Sequence, residues 1–267
     1  MVNVGMVQLN INTYKQEEFF NKCEIYIEEC SRNNVQLVCF PECFNYQLEL
    51  GNSLNNQFDS EDSKECIDFI LKMARKYKLY IVCGTLISEN SKLYNTAIVV
   101  SPEGELLGMH KKINLTFFEK EIITAGENVH CYETHVGKIG LLLGNDINSF
   151  TICQKLLDEN VEVLICLVQI PSEFSDSYLS IVKARTIDLD CFIVVASGCG
   201  IKDNTNLTFK GISNVYSNPH LSGNNKLFEM DHGKDAFFEG VVYGNYDLES
   251  FRNKRNQVYR PNKITIS

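Results

Sequence analysis

The chain has 267 residues, 44% hydrophobic and 22% charged, with a net charge of −9 and a pI of about 5.1. That is enough apolar material for one large domain, and the acidic balance excludes a broad nucleic-acid contact, which needs a basic face. No apolar run approaches the ~20 residues of a membrane helix, and the opening MVNVGMVQLN has no basic stretch followed by an apolar core and a cleavage site.

VNVGMVQLN reads as a strand with Val2, Val4, Met6 and Gln8 on one face. QEEFFNKCEIYIEECSRN predicts a helix, because Phe19, Phe20, Cys23, Ile27 and Cys30 recur at spacings of three and four. VQLVCF is a continuous apolar run, the pattern of a strand covered on both faces. SEDSKECIDFILKMARKY predicts a second helix, capped at Ser60 or Asp62 and striped by Cys66, Phe69, Ile70 and Met73. LYIVCGTLI reads as a strand, and LYNTAIVVSPEGELLGMH as a hairpin around Pro-Glu-Gly. The apolar run Ile139 to Leu143 ends at a tight polar turn, Gly144-Asn145-Asp146. A short helix near 150–159, the buried strand VEVLICLV, a helix over 174–190 and the strand CFIVVAS follow. The last quarter has strand-and-turn character in FKGISNVYSNPH, NKLFEMDHG and DAFFEGVVYG. There is no repeat or low-complexity linker, so the reading is a single α/β domain over 1–267.

Eleven cysteines are spread through apolar runs such as LVCF, IVCG and LICL, which implies reduced thiols and a cytoplasmic location. Cys39 and Cys43 are close, but no second pair answers them as a zinc site requires.

Three segments just past strand ends carry candidate chemistry, the usual address for ligands in α/β proteins. In VCFPECFNY, Pro41 must turn the chain, and Glu42 is either a partly desolvated general base or a capping, solvent-facing residue. In GMHKKINLTFFEKEIITAGE, Lys111 and Lys112 point to opposite faces if the strand continues. An inward lysine needs a carboxylate, and Glu119 and Glu121 are both at hand. The third segment is the strand end at Gly144, in KIGLLLGNDINSF.

The order Glu, Lys, strand-end elbow resembles the carbon–nitrogen hydrolase (nitrilase) superfamily, and the resemblance covers essentially the whole chain. FPE looks like the segment of the family's catalytic glutamate, Glu42, and HKKINL like that of its catalytic lysine, Lys112. FFEKEIITAG resembles the loop of a supporting glutamate, and the distance to Gly126 picks Glu119. KARTIDLDCFIVVASGCG resembles the arginine-bearing helix and next strand, with Arg185 at the arginine. FKGISNVYSNPH and DLESFRNKR resemble later family segments. The resemblance implies a four-layer αββα sandwich with two mixed β-sheets, homodimers or larger assemblies, and no metal or organic cofactor.

In the family a cysteine thiolate attacks an amide or nitrile carbon, the glutamate shuttles the proton and the lysine stabilises the oxyanion. The cysteine lies in G-x-x-x-C-x-D; here Gly140 and Asp146 match the ends, and Gly144 stands at the cysteine. The family's following arginine, aromatic, proline and glutamate are replaced by Asn148, Ser149, Phe150 and Thr151. A single engineered change would leave those neighbours alone, so their joint departure points to natural drift. Cys43 adjoins Glu42, but adjacent residues in an extended chain point apart, and Cys166 and Cys191 read as small buried hydrophobes. Asn145 is either a turn residue or, with its exposed amides, a hold for a carboxylate or amide.

The resulting expectation is a hydrolase-like pseudoenzyme binding a small amide, carboxylate or amine, or serving as a scaffold. Its alternative is an amidase of the family, inactivated at 144 or using a different nucleophile. A non-hydrolytic enzyme would show turnover without ammonia release.

Overall fold

The computed structural model describes residues 1–10, 16–45, 60–202, 207–219 and 237–258. The chain forms two mixed sheets packed face to face, with helices on both outer sides.

The first sheet is built on β1 (Val2–Asn10), β2 (Leu37–Cys39) and β3 (Tyr80–Glu89), which pair in parallel. It continues antiparallel through β4 (Lys92–Val100) to β5 (Leu106–Lys111), and a late strand, Gly240–Tyr246, closes the far side antiparallel to β1. The helices α1 (Gln16–Arg32) and α2 (Ser60–Tyr77) cover its outer face. They bury the stripes Phe19, Cys23, Ile27, Cys30 and Cys66, Ile70, Met73, as helical spacing requires.

The second sheet holds β6 (Cys131–Thr134), β7 (Gly137–Leu143), β8 (Val163–Val168) and β9 (Phe192–Ile201), with β7, β8 and β9 parallel. Two short strands, β10 (Thr208–Phe209) and β11 (Asn214–Tyr216), pair with β9. Its outer face is covered by α3 (Phe150–Asp158) and α4 (Ser175–Asp188). In chain order the Gly240–Tyr246 strand is β12, and Leu248–Val258 forms α5. The sheets meet where Leu9 and Asn10 of β1 pair with Gly198 and Cys199 of β9.

The central core lies between the sheets. Val4, Met6 and Cys39 face Leu141, Leu143, Ile165 and Val194 across it. Alternate residues of β1, Val7 and Leu9, enter the outer core instead, so this strand is buried on both faces. The αββα architecture expected from the resemblance is the one observed.

Several boundaries differ from the pattern. The run VQLVCF pairs only over Leu37–Cys39, because Pro41 turns the chain, whereas the strand begun by CFIVVAS runs on to Ile201. β6 carries no buried alternation and left no signal. The turn at 144 is a short 3₁₀ helix, Gly144–Asn148. The segment NKLFEMDHG lies outside the described residues.

Following the pairings, β1, β2, β3, β5, β7, β8 and β9 all run in one direction. Glu42 lies just beyond the carboxyl end of β2, Lys112 that of β5, Gly144 that of β7 and Gln169 that of β8. Parallel strands therefore deliver four distant segments to one edge of the sandwich.

Candidate functional site

Glu42 lies in the turn over 42–45 that follows Pro41. That turn is pinned to the sheet where Phe44 N donates to Gly84 O at 2.9 Å and Gly84 N donates to Pro41 O at 3.2 Å. A Cβ at position 84 would stand 2.8 Å from Glu42 Cα, so only glycine lets the turn approach this closely.

Lys112 continues the pleat of β5. Its neighbour Lys111 points outward, pairs with Glu89 and lies over the Tyr94 ring, while Lys112 turns inward. Lys112 Nζ donates to Glu42 Oε1 at 2.7 Å and to Glu119 Oε1 at 2.6 Å. Glu119 is the buried residue of the 3₁₀ turn Glu119–Glu121, and Thr116 N donates to its Oε2 at 2.8 Å; Glu121 is exposed. The three heads are 5%, 4% and 9% exposed, so their charges face one another rather than water.

Burial raises the Glu42 carboxyl above the usual range, and Glu119 adds to the rise; Lys112 and Asn95 oppose it. Burial alone would lower the Lys112 ammonium. The two carboxylates outweigh it and hold the lysine above its ordinary value. Two carboxylates share one ammonium, so the lysine only partly offsets the rise that burial imposes on Glu42.

Two partners of Glu42 had no sequence signal. Asn95 Nδ2 donates to Oε1 at 2.8 Å from the middle of β4. Gln169 holds the residue twice, its peptide N–H reaching Oε2 at 3.3 Å and its side-chain amide reaching the Glu42 carbonyl at 2.7 Å.

Gly144 opens the turn at the end of β7 with φ of +46°, the left-handed region that favours glycine. A Cβ built there would stand 2.8 Å from Lys112 Nζ and 3.0 and 3.3 Å from the Glu42 carboxylate oxygens. The charged heads close directly over the glycine. Asn145 is half-buried beside it, and its carbonyl accepts from Asn114 Nδ2 at 2.8 Å. Arg185 stands at the other end of this turn: its Nε donates to Ile147 O at 3.3 Å and one terminal nitrogen pairs with Asp188 at 2.7 Å. The structure thus brings Glu42, Lys112, Glu119 and Gly144 together, with Asn145 adjoining and Arg185 bracing the turn from α4. Ser149 caps α3 by accepting from Ile152 N at 3.4 Å, which gives part of 148–151 a structural task.

The thiols near the cluster are buried among apolar groups. Cys43 packs with Leu86, Leu115 and Ile123, and burial pushes its thiol well above the ordinary value, as it does for Cys166 and Cys191. Among the described residues no group of three His, Cys, Asp or Glu side chains is arranged to hold a metal, and no helix is long and apolar enough to cross a membrane.

Over residues 3–219 the sequence matches the carbon–nitrogen hydrolase family. An omega-amidase of Danio rerio is 24% identical over 266 residues, covering 96% of this chain and 91% of that protein. A carbon–nitrogen hydrolase structure from Helicobacter pylori G27 superposes with a TM-score of 0.84 at 18% identity, covering 96% of this chain and 93% of that one. An amidase structure from Nesterenkonia sp. gives a TM-score of 0.80 at 15% identity, covering 97% and 95%. At these identities the structural likeness is one of fold.

Proposed function

The chain belongs to the carbon–nitrogen hydrolase family, and from that premise we propose that it is a hydrolase-like binding protein whose nucleophile position is Gly144. Glu42, Lys112 and Glu119 are the retained acid–base and oxyanion set, and Asn145 and Arg185 shape the turn beside it. The ligand is a small amide or carboxylate, held without covalent attack. The protein acts in the cytoplasm as a homodimer or larger assembly, with no metal or organic cofactor.

One observation carries this reading. The atoms that would flank an attacking thiol, Lys112 Nζ and the Glu42 carboxylate oxygens, lie 2.8, 3.0 and 3.3 Å from where a side chain at 144 would begin, and that residue is glycine. A carboxylate and an ammonium alone forgo covalent catalysis, and hydrolysis of an unactivated amide by water is then very slow. Cys43 is no substitute, because its thiol is held protonated in an apolar cluster.

The test is ammonia release from a panel of ω-amides, simple amides, carbamoyl amines and nitriles, with the unmodified chain and Gly144→Cys side by side. The expected result is no turnover by either. Ammonia from the unmodified chain overturns the proposal. The amidase names of its relatives favour a second reading, an amidase of the family altered at residue 144. That reading requires Gly144→Cys alone to turn over, and the amide it cleaves would then identify the ligand.

A further inference from the structure

Asp146 is fully buried two residues beyond Gly144, and four donors converge on its carboxylate. His110 Nε2 lies 2.8 Å from Oδ2, and Leu143 N reaches the same oxygen at 3.3 Å. Ile113 N and Asn114 N reach Oδ1 at 3.0 and 2.6 Å. A carboxylate only accepts, so His110 presents Nε2–H; its Nδ1 is buried with no partner among the described residues.

Three of these attachment points bracket Lys112. One lies two residues before it, the others one and two residues after, and all end on the turn that carries Gly144. The Lys112 peptide is held again where its N–H donates to Asn95 O at 2.8 Å and its carbonyl accepts from Gly126 N at 2.8 Å. A displacement of about 1 Å in such a site is enough to break a hydrogen-bonded constellation.

We propose that Asp146 is a clamp and His110 a positioning residue, which together set where Lys112 Nζ stands relative to Glu42, Glu119 and Gly144. The importance of this clamp rests on reading the cluster as the functional site, but its test needs no ligand, so the two ideas fail separately.

The experiment follows the Glu42 carboxyl resonance by NMR through a pH titration of the intact, carbon-13 glutamate-labelled chain, the signal being assigned by its loss in Glu42→Gln. His110→Leu removes the donor, and His110→Gln keeps an N–H at similar reach. In His110→Leu the Glu42 midpoint should shift upward, because an ammonium that drifts away no longer favours the ionised carboxylate. His110→Gln should bring it back, a rescue that a merely space-filling role for the imidazole does not give.

An unchanged midpoint in folded His110→Leu overturns the proposal, as does His110→Gln shifting as far as the leucine variant. If the leucine variant does not fold, His110→Phe, which keeps the ring volume, takes its place. Hydrogen exchange on the unmodified chain is an independent check. Fast, loop-like exchange at the Ile113 and Asn114 amides would refute the clamp whatever the variants do.

Discussion

Gly144→Ala adds one carbon, and its cost follows from two observations. At φ of +46° an L-residue occupies the left-handed region, which costs about 1–2 kcal/mol. The new Cβ would also stand 2.8 Å from Lys112 Nζ, too close for a real contact. The ammonium must back away from a position where it holds carboxylates at 2.7 and 2.6 Å. Weakening one buried charge-assisted hydrogen bond costs about 1.5–3 kcal/mol. The sum is roughly 2.5–5 kcal/mol, a large part of the ~5–15 kcal/mol that stabilises a typical domain. Urea unfolding of both chains should show it as a lower midpoint at an unchanged slope. In a Lys112→Met background the clash with the ammonium disappears, and the cost should fall by roughly the 1.5–3 kcal/mol of the weakened hydrogen bond. A cost below about 1 kcal/mol in the unmodified background refutes the reasoning, because the heads would then not be closed over the glycine. Gly144→Cys meets the same obstacle, so a cysteine variant that turned over would first have to move Lys112.

Lys112→Met should destabilise by about 3–5 kcal/mol in urea unfolding at neutral pH, since it leaves Glu42 and Glu119 facing each other without a cation; a cost under about 1 kcal/mol would mean the cluster is open to water. Glu42→Gln should cost less, because Lys112 keeps Glu119. It should also remove a pH dependence. A carboxyl raised in the folded state contributes stability that is complete below the ordinary glutamate value of about 4.3 and lost as pH rises through the folded value. Stability-versus-pH curves of the two chains that run parallel above pH ~4.3 would contradict this. At the alkaline end all eleven thiols are raised by burial. Their stability is complete below the unfolded thiol value of about 8.5 and lost above it, at up to about 1.4 kcal/mol per thiol per pH unit. Urea midpoints should therefore fall steeply between pH ~8.5 and ~10, and a flat profile there would show that the thiols are not buried.

The individual helices and buried strands were legible because they repeat at their own periods, whereas the two-sheet, four-layer arrangement and the site residues were legible only through the resemblance of their ordered motifs to a known family. Local geometry then decided what the sequence left open. Pleat parity turned Lys112 inward and Lys111 outward, and burial in a short 3₁₀ turn separated Glu119 from Glu121. What sequence could not reach were partners brought in by topology. Asn95 is 53 residues from Glu42 and Gln169 is 127 residues away, and neither lies in a pattern that distinguishes it from any other amide in the chain. His110 has no pattern that sets it apart from its neighbours on β5, and the Asp146 that it meets lies 36 residues away. β6 was missed because a four-residue edge strand with half-exposed side chains has no period to detect.

The clustering of Glu42, Lys112 and Glu119 does not by itself argue for activity. Removing Lys112 strands two buried carboxylates, and removing either glutamate takes a partner from the ammonium, so stability alone preserves the set once it exists. The turn at 144–148 carries a different implication. Asp146 ties it to the lysine strand, Asn114 and Arg185 hold its carbonyls at 145 and 147, and Ser149 starts the next helix from its end. Those bonds fix backbone and leave the side chain at 144 unspecified. The left-handed backbone and the space above it constrain that residue, and the space is filled by the heads of Lys112 and Glu42. That closure penalises any side chain introduced at 144, because it must displace a paired ammonium in a left-handed backbone position. The cluster and the glycine therefore stabilise each other, which is why the binding reading and the Gly144→Ala measurement stand or fall on the same contact.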